Sequence, residues 1–291
     1  MKRSLRRIVA TILASVSFAF AGEAHLVLDL DAAKGVETDA KGKVLSWTNQ
    51  VAGSPVTKFI PTDAGRKEPG SGIPSMVKGD EAQPYPAVEF HHQELINGDE
   101  DAFDSLTKGS GHTWYAVIAV DKQASARKDT HAIFGNLRNT DALGGGTGGH
   151  FEGFWGVVRD DRSVYAGVRN GLEFKRDSPN NPEVASKTKL DVGRFYVIAG
   201  RMGAGVGTVS VEIWVNMPKP EAASTVVVNP AANPSKMAVG QERDATNHPG
   251  VESFDGKLAR LLIYDTAQSN EEMKVIFQKL VPQYRIDIPW D

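Results

Sequence analysis

FDGKLARLLIYD, residues Phe254 to Asp265, is the stretch on which the fold turns. Asp255-Gly256 reads as a turn, because Gly takes φ > 0 without steric cost and Asp can bond its own backbone. The run that follows is apolar on both parities, with Ala259, Leu261 and Ile263 on one side, Leu258, Leu262 and Tyr264 on the other, and Arg260 the one charge among them. A strand apolar on both faces belongs inside a layered β fold, since a solvated sheet face would bring polar residues at every second position. A helix signal comes next. Ser269 and Glu272 stand at capping-box spacing, Met273, Ile276, Phe277 and Leu280 recur at helical spacing, and Pro282 predicts the stop.

Reading outward from that run, the rest of the chain is a series of short strands. Leu26 to Asp31 alternates, and Lys43 to Asn49 does so again after a polar turn at Asp39 to Gly42. Gly53 to Gln83 is rich in Pro, Gly and charge, and is long for a loop in a compact domain, so part of it should cover an edge or rim a binding face. Tyr85 to Phe90 returns to strand character, and Asp101 to Leu106 fits one helical turn. Thr113 to Asp121 is apolar on both faces and is the strongest central strand, and a short strand ends at Phe134-Gly135-Asn136. Phe154 to Arg159 and Ser163 to Arg169 form a hairpin across Asp160-Asp161-Arg162. Arg194 to Arg201 and Thr208 to Asn216 form a second pair, and Val226 to Val228 and Met237 to Val239 are shorter candidates. Many short strands and one convincing helix predict an all-β sandwich.

Composition bounds the function. The chain has 291 residues, 41% of them hydrophobic, which is enough for one large β domain. Residues 1–21 read as a signal peptide. Lys2, Arg3, Arg6 and Arg7 form a basic start, Ile8 to Phe20 is apolar, and Ala19-Phe20-Ala21 is a cleavage site that predicts a mature domain over 22–291, secreted or periplasmic. That removal takes four of 33 Lys+Arg and no acid, leaving 29 against 36, a net charge of −7. An acidic mature chain lacks the footprint of a nucleic-acid binder, and no later stretch is long and apolar enough to span a membrane. Cysteine is absent, which excludes thiol catalysis and Cys-held zinc.

In order and spacing these pieces resemble the concanavalin A-like lectin/glucanase jelly rolls, in particular the laminin-G-like domains of exported bacterial proteins. LVLDLDAAKGVETDAKGKVLSWTNQ (Leu26 to Gln50) is similar to their opening segment, FWGVVRDDRSVYAGVRNG (Phe154 to Gly171) to their central hairpin, and MAVGQERDATNHPGVESFDGKLARLLIYD (Met237 to Asp265) to their closing segment. Two departures are Arg260, where such strands often carry Glu, and the Gly-rich insert around Gly146. The resemblance implies a jelly-roll β-sandwich of two antiparallel sheets with a short C-terminal helix. It also implies recognition of a polysaccharide or glycoconjugate, or of an extracellular protein, with Ca²⁺ in some relatives and lyase or hydrolase activity in others.

The residues carry candidate chemistry of their own. Gly144 to Gly149 has almost no side chains, so its order must come from contacts outside itself, and loops of that kind close over ligands. Arg138, Asn139 and His150 flank it, Trp155 follows, and Tyr165 and Arg169, four apart, share one strand face. Aromatic rings and Arg forks suit sugars and uronate carboxylates, so these six residues form the expected ligand site. In a lyase reading, His150 or Tyr165 would be the base, with Arg169 and Arg138 answering the substrate charge. Asp29 and Asp31 share a face but sit at a strand end and read as structural. Glu212 beside Trp214 could hold a sugar, yet fits a packed Trp better. For calcium, the loop oxygens of Asp141, Asp244, Asn247 and Glu252 are the candidates. His91-His92 is adjacent, so in an extended chain the two rings point apart and a histidine-held metal is not expected. A glycan-binding module without chemistry is the leading expectation. A polysaccharide lyase or glycoside hydrolase is the alternative, and a structural or protein-binding surface module the third reading.

Overall fold

The computed structural model describes residues 25–61, 72–79, 81, 84–124, 128–139, 150–173, 175, 179–242 and 252–286; the segment read as a signal and the run Gly144 to Gly149 lie outside the described residues. The strands in chain order are β1 (Leu26–Asp31), β2 (Val36–Thr38), β3 (Val44–Thr48), β4 (Lys58–Phe59), β5 (Ser75–Val77), β6 (Ala87–His91), β7 (Leu95–Ile96), β8 (His112–Val120) and β9 (His131–Gly135). They continue as β10 (Arg138–Asn139), β11 (Phe151–Val158), β12 (Ser163–Asn170), β13 (Glu183–Lys189), β14 (Phe195–Met202), β15 (Thr208–Val215), β16 (Ala222–Val227), β17 (Ala238–Val239) and β18 (Asp255–Tyr264). The helix α1 (Asn270–Gln283) follows β18, and a short 3-10 turn at Asp104–Thr107 precedes β8.

Two antiparallel sheets pack face to face. The first runs β16-β15-β14-β8-β18-β6-β5, with β1 also on β18. The second runs β13-β12-β11-β9-β17-β7, with β10 on β11, and β2-β3-β4 form a small third sheet. Trp114, Ile118 and Val120 of β8 and Leu258, Leu261 and Ile263 of β18 meet Phe134, Phe154, Val164 and Val168 of the second sheet in one continuous core. The indole of Trp114 stands edge-on to Phe134, 5.1 Å between centroids, and lies over Gly200, its direct cross-strand partner, where a Cβ would overlap the ring. The other side of β8 packs through Tyr115, Val117 and Ala119 against Met273, Phe277, Leu280 and Val281 of α1. The capping box forms as expected, with the Glu272 N–H donating to Ser269 Oγ at 3.2 Å. Pro282 does not stop the helix; it sits in the last turn, and α1 ends one residue later. A proline so close to the end forfeits a single hydrogen bond.

The parity read for β18 needs a correction. A bulge between Leu258 and Arg260 in the pairing with β8 places two consecutive residues, Ala259 and Arg260, toward the same side. Leu258, Leu261 and Ile263 therefore share the inter-sheet core, while Ala259 and Leu262 face the helix. The bulge falls where β18 changes neighbour, since residues 255–258 pair with β6 and residues 260–264 with β1. Arg260 is answered by Asp29 of β1, with Nε 2.9 Å from Oδ1 and Nη2 2.8 Å from Oδ2. Burial works against the guanidinium's charge, but the hydrogen bonds and charge of Asp29, with the charge of Asp31, outweigh it and hold the pKa above the ordinary arginine value. The structural reading of Asp29 thus holds. The strand β13 went unread because an edge strand carries polar residues inward: Ser186 Oγ accepts the Val164 N–H at 3.0 Å.

His112 is a core residue. Its ring packs on Phe154 at 4.2 Å, and its Nδ1 lies 3.0 Å from the Leu106 carbonyl, which can only accept, so Nδ1 carries the proton. Burial pushes its pKa down to about 4. Two predictions follow from these contacts. Asp29→Asn should lower stability by about 3 kcal/mol in urea unfolding at constant m, because it leaves Arg260 under-compensated, and a loss below about 0.5 kcal/mol would show the pair dispensable. Because the folded pKa of His112 lies below the unfolded value, its contribution is complete above pH of about 6.5. It is then lost at up to about 1.4 kcal/mol per pH unit on acidification toward 4. His112→Asn retains a donor but does not titrate, so its melting temperature should fall less than that of wild type between pH 6.5 and about 4.5; equal slopes would refute the assignment.

Candidate functional site

The two sheets differ in what lies on their outward faces. On the first, α1 seals the strands. On the second, the outward residues of the β11–β12 hairpin form a separate cluster, Trp155, Val157 and Tyr165 with Ala132 and Leu137. Strand alternation places them there: Phe154, Gly156 and Val158 point inward, so Phe151, Trp155 and Val157 point outward. Trp155 lies across Gly167, its cross-strand partner, where any Cβ would overlap the indole. Trp155 and Tyr165 meet edge to face at 5.7 Å.

Two arginines run along this aromatic strip. The Arg169 guanidinium sits 5.2 Å from the Trp155 ring centroid and 5.4 Å from that of Phe151, and Arg159 sits 5.0 Å from that of Tyr165. Glu183 of β13, opposite Gly167, bridges them: one oxygen is 3.2 Å from Arg169 and the other 3.5 Å from Arg159. Trp155, Tyr165 and Arg169 are thus brought together as expected, but as a buried floor, since Arg169 is only 4% exposed. Arg159, at 29% side-chain exposure, and Phe151 reach the surface of the strip. Glu183 escaped sequence reading because its strand did. Its parity opposite the hairpin was the signal that could have found it.

The remaining candidates separate. Arg138 of β10 pairs in register with Glu152 and lies with Asp104 in a different cluster; burial pushes both carboxyls above their ordinary range, and the Arg138 charge draws each back. The Asn139 backbone pairs with Phe151, and His150 leads into β11, half-buried. Asp141, Asp244 and Asn247 lie outside the described residues. Glu252 has φ of +60° and its carbonyl accepts the N–H groups of Ala132 and Glu242, both at 3.2 Å. Trp214 is buried under α1, and Glu212 accepts from Arg201 Nε at 2.8 Å, which makes that pair structural.

The histidine pair departs from expectation. His92 has φ of +61°, so the dipeptide is not extended. Both rings turn toward one carboxylate, with His92 Nε2 3.2 Å from Asp255 Oδ2 and His91 Nδ1 3.7 Å from Asp255 Oδ1.

This architecture is the concanavalin A-like jelly-roll β-sandwich. No family model and no curated protein sequence matches the chain. Among solved structures, it is similar to domain 4 of AbnA, a GH43 extracellular arabinanase from Geobacillus stearothermophilus, in complex with arabinotriose. That match has TM-score 0.53 and 13% identity, over 88% of this chain and 99% of the other. The binding domain of Paraclostridial Mosquitocidal Protein 1 gives TM-score 0.53 at 11% identity, and the Trypanosoma rangeli sialidase, in complex with a difluoro-KDN, gives 0.51 at 13%. Both cover 88% of this chain, which spans 52% of the former and 33% of the latter. Likeness at such identities establishes the fold alone.

The Trp155–Gly167 contact has a direct test. Gly167→Ala should displace the indole, shift tryptophan fluorescence and lower stability by about 1–3 kcal/mol. A variant with wild-type emission and melting temperature would contradict the packing.

Proposed function

We propose that this domain binds a glycan on the outward face of the second sheet, along the strip from Phe151 to Arg159, and performs no chemistry on it. The observation that carries the reading is the bridge from Glu183 to both Arg159 and Arg169 above a Trp155–Tyr165 floor. The Phe151 ring, at the surface of the strip, offers flat apolar contact to the C–H face of a sugar, and Arg159, braced by Glu183, presents its fork to hydroxyls at little further loss of freedom. Asn139, paired with Phe151, and His150, which leads into β11, lie at the end of the strip, while Arg138 belongs to the neighbouring Asp104–Glu152 cluster. The arabinotriose complex of domain 4 of the arabinanase fits a glycan ligand on such a scaffold. Because Arg169 is already neutralised by Glu183, it is not free to answer a substrate carboxylate, which favours binding over a lyase reaction. Export through the segment read at residues 1–21 belongs to the same proposal.

A glycan array, followed by titration of its strongest ligand, tests this. Arg159→Ala and Phe151→Ala should each weaken binding by about 1–3 kcal/mol with stability changed by no more than about 1 kcal/mol. Lys274→Ala, on the exposed face of α1, should leave affinity unchanged. Unchanged affinity in both strip variants would move the site elsewhere. Time-dependent absorbance of unsaturated uronates would replace the binding reading with a lyase.

A further inference from the structure

At the end of the first sheet, beyond the reach of α1, three strands bring a different chemistry together. Glu89 and His91 are two apart on β6 and share a face, and Asp121 follows β8, its N–H donating to the Asp255 carbonyl at 3.0 Å. One potential ligand atom from each of Glu89, His91 and Asp121 lies within 4.8 Å of the others. We propose that these three residues hold a divalent first-row transition-metal ion, a site independent of the glycan reading and on the opposite sheet.

Four observations support it. The His91 imidazole lies between two carboxylates, with Nε2 3.6 Å from Glu89 Oε2 and Nδ1 3.7 Å from Asp255 Oδ1. Ligand atoms about 2.1 Å from a tetrahedral zinc stand about 3.4 Å apart, so Nε2 and Oε2 need to move little. A metal-binding histidine typically directs its second nitrogen to a carboxylate, which is the position of Asp255. That carboxylate is itself held, by His92 at 3.2 Å and by the Ala124 N–H at 2.9 Å, so the αL turn at His92 serves to orient it.

The charges also match. Glu89, Asp121 and Asp255 carry three negative charges, and Lys257, 3.2 Å from the other oxygen of Glu89, supplies one positive charge, which leaves the charge of a divalent cation to be met. Among the described residues the Asp121 carboxylate has neither a hydrogen bond nor an ion pair, although it faces Glu89. Imidazole nitrogen selects a transition metal over calcium, and three protein ligands leave a coordination position open. The side chains of His91 and Glu89 are 56% and 25% exposed, so an ion can reach the site from solvent.

The test is titration of the chelator-treated full chain with zinc, manganese and calcium chlorides, read by calorimetry and thermal shift. Zinc should bind at one equivalent and raise the melting temperature, manganese should bind more weakly, and calcium should have no effect at this site. His91→Ala and Asp121→Asn should each weaken zinc at least about tenfold. His92→Ala, which removes only the support of Asp255, should weaken it by less than either ligand variant. His25→Ala, an exposed histidine elsewhere, should leave it unchanged. Absence of zinc binding at 1:1, or zinc affinity unaltered in both His91→Ala and Asp121→Asn, would overturn the proposal. Since His91 is exposed, its variant should fold, and its circular dichroism and melting temperature without metal would establish that.

Discussion

A ten-residue strand in the middle of a sheet has backbone donors and acceptors on both edges, and every one of them must be met. β18 is that strand. On one edge β8 runs its whole length, but on the other no single neighbour does, so β6 takes the first part and β1 the second. The bulge near Ala259 is where they exchange. It realigns the side chains so that Leu258 and Leu261, three apart, point into the same core. It also leaves Arg260 in a largely buried place, where a charge without a partner would be prohibitive, and Asp29 of the incoming β1 meets it in bidentate geometry. Backbone pairing, core packing and charge compensation are thus three aspects of one local arrangement.

With that strand in place, the sandwich has two outward faces of unequal character. Apolar residues on one require a cover, and the capped, amphipathic α1 supplies it. The other carries a tryptophan, a tyrosine and two arginines held by one glutamate, a polar–aromatic surface that keeps one uncompensated positive charge among those three groups. Each sheet also uses a cross-strand Trp–Gly pair: Trp114 over Gly200 fills the core, and Trp155 over Gly167 levels the outward strip. The glycine removes a side chain so that a large flat one can lie down on the sheet.

How much of this could be read from residues alone depended on the range of the interaction. Two-sided apolarity marked β8 and β18, the Ser269–Glu272 spacing marked the helix start, and the Asp160-Asp161-Arg162 turn marked the hairpin, all of them local signals. Strict alternation failed at Ala259, because a bulge is set by the neighbours of a strand and not by its own pattern. Tyr165 and Arg169 were placed on one face, but the burial of Arg169 depends on Glu183 from a strand whose polar sequence concealed it. The convergence of His91 and His92 was hidden for a different reason: it depends on one positive φ, and the Asp255 carboxylate they meet comes from β18.

The Arg260–Asp29 pair joins positions 231 residues apart, and among the described residues β1 has no sheet partner other than β18. A chain made from its amino terminus therefore holds its first described strand unpaired, with Leu28 and Leu30 uncovered, until nearly the last strand has emerged. β6 and β8 likewise each lack a neighbour on one edge until then. Contacts of such long sequence separation are slow to form, because loop closure is paid for before any contact rewards it. The fold thus has a late closing step, and a chain truncated before residue 260 would lack the part of the strand that joins its two ends.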